Sequence, residues 1–207
     1  MLELVTAAGA DAISVSDAKS WMRVTSSSED TLIQALVRAA IERLEHYTGR
    51  KFVTQTHRLW LDGWPLQNDD EWWDGVREGA WIEKRANFID LRLAPVSVID
   101  EVKYYLTDNS EQVFDASNYY LDGVTFPSRL VLNYSALWPS AVLRPLKSIS
   151  VKFQVGYGAS SAHVPNAIAT AIKMLTAHFY KNRGDGCETE IPSTVKELLK
   201  PYVIQVL

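Results

Sequence analysis

"EDTLIQALVRAAIERLEHYTGRKFVTQTHRLWLDGW", residues 29–64, changes its period once, and that change decides the fold. In its first part Leu32, Ile33, Leu36, Val37, Ala40, Ile41, Leu44 and Tyr47 recur three and four apart, one continuous stripe on an amphipathic helix. Gly49 stops the helix, because glycine takes the left-handed conformation beyond a helix end without a Cβ penalty. Arg50 suits the negative end of the helix dipole. From Lys51 onward β-branched and aromatic residues replace the helical period and predict a strand.

Working outward, "SDAKSWMRV" reads as a short helix ending near Val24, with Ser16 and Asp17 as N-cap candidates. On the other side "FIDLRL" alternates, "SVIDEVKYYL" runs through a "TDNS" turn into "EQVF" as a hairpin, and "NYYLD", "SRLVLN" and "SISVKFQVGYG" read as further short strands. Helix returns after Pro165, suited to a first helical position, with Ile168, Ala171, Ile172, Leu175, Ala177, His178 and Phe179 on a broad apolar face. A last short helix follows, capped by Ser193 or Thr194 and ended by Pro201, before the apolar tail "YVIQVL". The expected fold is α+β: a helical core built from both chain ends, 14–50 and 163–207, with an inserted, mostly antiparallel β-rich subdomain, 51–162. The whole forms one domain of 207 residues.

Composition narrows the function. With 47% hydrophobic residues the chain can bury a sizeable core. No apolar run approaches the roughly 18 residues of a membrane span, and the N-terminal residues lack the pattern of a signal peptide, so a soluble protein made in the cytoplasm is expected. A single cysteine, Cys187, excludes an internal disulfide and a multi-cysteine zinc site. The net charge of −4 argues against a general DNA-binding surface, which needs clustered Lys and Arg.

Motifs for catalysis or cofactors are missing. His46, His57, His163 and His178 fall in different elements with no metal-ligand spacing, and no GxSxG, Walker or GxGxxG pattern occurs. "GYGAS" at 156–160 reads as a strand-terminating turn, since the next helix starts too far away to cradle a phosphate. Asp90 and Asp100 are one carboxylate pair among many. No catalytic, metal or cofactor residue is assigned.

The acidity belongs to one segment. Between Trp60 and Trp81 lie six acids against Arg77, a net of −5, and five of the seven tryptophans. Buried together, those five rings would represent up to ~25 kcal/mol. Three readings stand for this segment: packing on its own sheet, contact with a partner or neighbouring subunit through Trp72, Trp73 and Trp81, or stacking on a sugar.

Three stretches together resemble the tailed-phage head-tail connector (adaptor) family. "LIQALVRAAIERLEHYTGRKFVTQTHRLWLDGWP" is similar to its helix-to-strand junction, through Tyr47, Thr48, Gly49, Arg50, Gln55 and Thr56. "LAPVSVIDEVKYYLTDNSEQVFDASNYYLD" is similar to its hairpin region. "ISVKFQVGYGASSAHVPNAIATAIKMLTAHFYKNR" is similar to its second junction, through Gly156, Tyr157, Gly158 and Pro165. This sequence departs from the pattern at 66–87, where a brief turn is expected and about twenty residues stand instead.

The resemblance implies a non-enzymatic virion protein without cofactors, made in the host bacterial cytoplasm and placed at the head-tail junction. It implies a ring, typically of twelve subunits, under the portal protein. The ring extends the DNA channel, through which DNA passes without specific binding, and docks a tail-completion or stopper protein. Leu198, Leu199, Tyr202 and Ile204 are then candidates for the portal contact, and the helical core for the lateral contacts. The alternative function is a β-sheet carbohydrate-binding module on a helical scaffold, with an enzyme third.

Overall fold

The computed structural model describes residues 1–65, 87–182 and 191–204, so Trp72, Trp73, Trp81 and Cys187 lie outside the described residues. The chain divides into two compact units, one helical (Thr6–Thr56, Leu93–Pro95 and Val155–Leu207) and one of sheets (Met1–Val5, His57–Arg92 and Val96–Gln154).

The helical unit holds α1 (Val15–Met22), α2 (Asp30–Thr48), α3 (Asn166–Lys181) and α4 (Ser193–Leu199). Most of the stripe read on α2 is its buried face: Leu32 at its start is exposed, whereas Ile33, Val37, Ala40 and Leu44 are fully enclosed. They meet Ile168, Ala171, Ile172 and Leu175 of α3, Val195 and Leu199 of α4, Ala18 of α1, and Phe52 and Val53. Gly49 caps α2 at φ +71, as its position in the sequence required.

Three caps differ from expectation. The N-cap of α1 is Ser14, whose hydroxyl accepts from Asp17 N–H while the Asp17 carboxylate accepts from Ser14 N–H, a closed capping box. Asp17 is therefore the third residue of the helix, and its carboxyl is held below the usual range by the Ser14 hydroxyl. Pro165 and Pro192 stand one residue before α3 and α4, each offering its carbonyl to the first turn, so Ser193 and Thr194 are already helical. Pro201 lies inside a short 3-10 turn, Lys200–Tyr202, that continues from α4.

The sheet unit confirms the antiparallel reading. Its five-stranded sheet has the order β1-β2-β8-β4-β5 and its three-stranded sheet the order β3-β7-β6. The strands are β1 (Leu2–Thr6), β2 (Gln55–Leu61), β3 (Phe88–Asp90), β4 (Val96–Tyr105), β5 (Glu111–Phe114), β6 (Tyr119–Asp122), β7 (Arg129–Leu132) and β8 (Ile149–Val155). In the central strand β8, Ile149, Val151, Phe153 and Val155 are fully buried. Phe114 of β5 stacks on Tyr119 of β6 at 5.8 Å, joining the two sheets. "FIDLRL" yields only three strand residues, because Arg92 turns into the left-handed region at φ +57. β1 adds a strand that the sequence analysis does not predict, and its partner β2 lies some fifty residues away in the chain. Among the described residues no helix is long and apolar enough to cross a membrane.

The helical unit also holds the points where the chain leaves it and returns, and backbone hydrogen bonds tie them together. Lys51 N–H donates to the Ala94 carbonyl (2.9 Å), Gly156 N–H to Pro95 (2.9 Å), Thr54 N–H to Gly158 (2.9 Å) and Tyr157 N–H to Phe52 (3.2 Å). Gly156, at φ +134, lies so close that an added Cβ would sit 2.6 Å from the Thr54 nitrogen and the Val53 carbonyl carbon. Neither strand can give way without breaking this lattice. Gly156→Ala should therefore cost about 3 kcal/mol or more in urea unfolding. Gly9→Ala, where nothing lies within 4 Å, should stay within about 0.5 kcal/mol of the parent. Equal stabilities would show that the crossing is slack.

Candidate interaction site

The first junction is built on a buried carboxylate. Glu45 sits in the last turn of α2, facing the negative end of the helix dipole, and is only 9% exposed. Two donors hold it there: Phe52 N–H at 2.9 Å and Lys51 Nζ at 2.7 Å. Thr48 Oγ1 donates to the Leu44 carbonyl at 2.8 Å, and Tyr47 packs half-buried against the core. Gln55 and Thr56 open β2. At the second junction Tyr157 is half-buried; burial raises its phenol, and the Arg50 guanidinium opposes the rise. A Cβ on Gly158 would lie 2.3 Å from His163 Cγ.

The end of the chain is laid on this junction. Arg50 Nε donates to the Tyr202 carbonyl at 2.7 Å, Ile204 N–H to the Thr48 carbonyl at 3.0 Å, and the Ile204 side chain rests against Gly49. Leu199 is fully enclosed in the core, whereas Leu198, Tyr202 and Ile204 are only half-buried. A partner could touch those three without unfolding α4, and could not touch Leu199.

In the sheet unit the described tryptophans of the acidic segment, both half-buried, pack against neighbouring side chains. Trp60 Nε1 donates to Glu3 at 2.7 Å, and its ring lies beside Tyr105 and under the Arg58 and Arg144 guanidinium groups. Trp64 stacks on Trp138 at 4.7 Å and 14°, with Phe114 and Tyr104 around it. These ring faces meet other rings of the protein, which leaves them poorly suited to a sugar. Trp72, Trp73 and Trp81 lie outside the described residues.

The exposed apolar surface lies mainly on the sheet unit. Tyr134, Leu137, Val142 and Leu146 project from residues 133–148, each at least 69% exposed. That segment is pinned at both ends: Asn133 N–H donates to the Asn118 carbonyl, Arg144 N–H to Tyr105, and Lys147 N–H to the Asp62 carboxylate at 2.7 Å. Arg144 also covers the Tyr105 ring at 4.0 Å. Leu2, Leu4 and Val5 of β1 and Val113 of β5 are exposed as well. Exposed large apolar side chains gathered in one anchored segment mark it as a candidate protein-binding surface.

Polar groups on the sheets are locally paired. Lys103 joins Glu101 (3.1 Å) to Glu111 (2.9 Å). The Glu111 bond holds the ammonium above its usual range, and the Lys103 bond holds the Glu111 carboxyl below its own. Asp90 is bound by Arg129 and Asp100 by Gln154 Nε2, in different sheets, so they form no acid-base pair. Among the described residues no three His, Cys, Asp or Glu side chains gather as a metal site.

Residues 12–94 match the family described as Phage gp6-like head-tail connector protein, less than half of the chain. The fold match spans the whole. A chain in the neck of an empty GTA particle computed with C6 symmetry superposes with a TM-score of 0.77 at 23% identity, covering 100% of this chain and 97% of that one. A chain of the virion of a native gene transfer agent (GTA) particle gives 0.75 at 23% identity, with the same coverage. One from the neck of a native GTA particle computed with C12 symmetry gives 0.75 at 22%, again covering 100% and 97%. No curated protein matches the chain in sequence. The chain has the fold of these neck chains, and the resemblance read from the sequence is borne out over the matched residues.

Glu45 is not among the residues predicted from the sequence, although an acid beside Leu44 in the last turn of a helix, six residues before Lys51, is a legible signal. Glu45→Ala strands the buried Phe52 N–H and should cost about 2–3 kcal/mol in urea unfolding. Glu45→Gln keeps an acceptor and should lose about half as much. Equal losses for the two would mean that the charge alone matters.

Proposed function

We propose that the protein is a structural head-tail connector of a tailed phage or phage-like particle, not an enzyme. It forms a ring of twelve subunits beneath the portal protein, extends the DNA channel and docks a tail-completion or stopper protein. The observation that carries this reading is that one chain pairs a head-tail connector match at residues 12–94 with the full-length fold of particle neck chains.

The physical features suit the task. A ring is a head-to-tail interface whose rotation closes, so each subunit needs two different complementary surfaces. The pinned apolar segment 133–148 and the half-buried residues Leu198, Tyr202 and Ile204 offer docking faces besides those lateral contacts. The latter three are our choice for the portal side, and Leu199 would act there only by holding α4. Trp72, Trp73 and Trp81 remain candidates for a subunit or partner contact. The chain, at a net charge of −4, carries no excess of Lys and Arg that would bind phosphate along such a channel.

Light scattering and negative-stain microscopy of the purified protein, alone and with the portal protein of the same particle, test the reading. A closed ring is expected in at least one of these conditions. A monomer indifferent to the portal would overturn it.

A further inference from the structure

The five-stranded sheet ends in two open edges, and their backbone directions are complementary. At one edge Met1 and Trp60 exchange both backbone hydrogen bonds, which marks an antiparallel bonded pair. By alternation, Leu2 and Leu4 of β1 turn their N–H and C=O groups away from β2. At the other edge Leu106 N–H donates to the Ser110 carbonyl at the mouth of the β4–β5 hairpin. With the register Tyr104 opposite Gln112, the groups of Glu111 and Val113 therefore face outward. Among the described residues nothing meets either row.

Native sheets usually blunt such edges with proline, lysine or a bulge. β1, "LELVT", carries no proline or lysine and one charge, Glu3, and is exposed along its whole length. β5 exposes Val113 at 66%.

Resting on the ring reading above, we infer that the lateral interface is this pair of edges, β1 of one subunit adding to β5 of the next, so that the sheets continue around the ring. Directions permit it. β1 opposes β2; β2 opposes β8, with Phe52 meeting Tyr157 at one end and Leu61 meeting Ser148 at the other. β8 opposes β4, with Gly156 meeting Pro95 and Ser148 meeting Tyr105, and β4 opposes β5. β1 and β5 thus point in the same sense across the sheet. The joint is a parallel pair.

Its register follows from the outward groups. Leu4 N–H donates to the Glu111 carbonyl across the joint, and Val113 N–H returns to the Leu4 carbonyl. Val5 then lies beside Val113, covering two exposed valines. Glu3 lies beside Glu111, whose charge Lys103 already compensates. The two edges differ from each other, as a closing head-to-tail interface requires.

Leu4→Pro and Val113→Pro each remove one outward N–H and leave the bonds to β2 and β4 in place, which an edge strand tolerates. With the parent protein forming rings, alone or on the portal, each variant should keep its circular dichroism and run as a monomer. Variants that form rings as well as the parent would overturn the edge interface while leaving the ring reading standing. A parent that forms no ring overturns both. Should a variant fail to fold, hydrogen exchange on the parent decides: the Leu4 and Val113 amides should slow at least ~10-fold on ring formation, and unchanged rates would sink the proposal.

Discussion

The structure depends on one close approach, Gly156 against the backbone of Val53 and Thr54, where no side chain fits. Around it four backbone hydrogen bonds join residues 51–54, 94–95 and 156–158, the points at which the chain leaves the helical unit and comes back. Loop closure costs little more for a long excursion than for a short one. Once these points are tied, the intervening sheets add length without loosening the helical core. Glu45 does the same work from the helix side, by turning the end of α2 into an acceptor for Phe52 N–H and Lys51.

The helical unit encloses most of its apolar stripe, and among its described residues Trp21 and Leu32 are the large apolar side chains left exposed. The sheet unit has a filled interior around β8 and still presents leucines, valines and tyrosines outward on a pinned segment and on two edges. The family resemblance implies lateral contacts through the helical core, whereas the edge pairing inferred above places them on the sheets.

Much of this was legible in the sequence because local chemistry and tertiary need agreed. The α2 stripe, the Gly49 stop and seven strands follow from period and turn residues, as does the Gly156 turn. What was missed depended on distant partners or on a choice between similar neighbours. β1 is a strand because Trp60 receives it, and nothing in "LELVT" names that partner. Ser14 caps α1 in place of the expected Ser16 or Asp17, since Ser14 stands three residues before an acid that can reach back. Trp60 and Trp64 turned out to be packing residues, for Glu3 and Trp138 are far from them in sequence and near in space. No local pattern could have separated them from a ligand platform.

Native-state hydrogen exchange at the Thr54, Gly156 and Tyr157 amides measures the central constraint directly. If the crossing holds the fold, these amides open only with global unfolding of the helical unit and are among its slowest. Exchange at these sites as fast as at the amides of residues 134–142 would contradict the account.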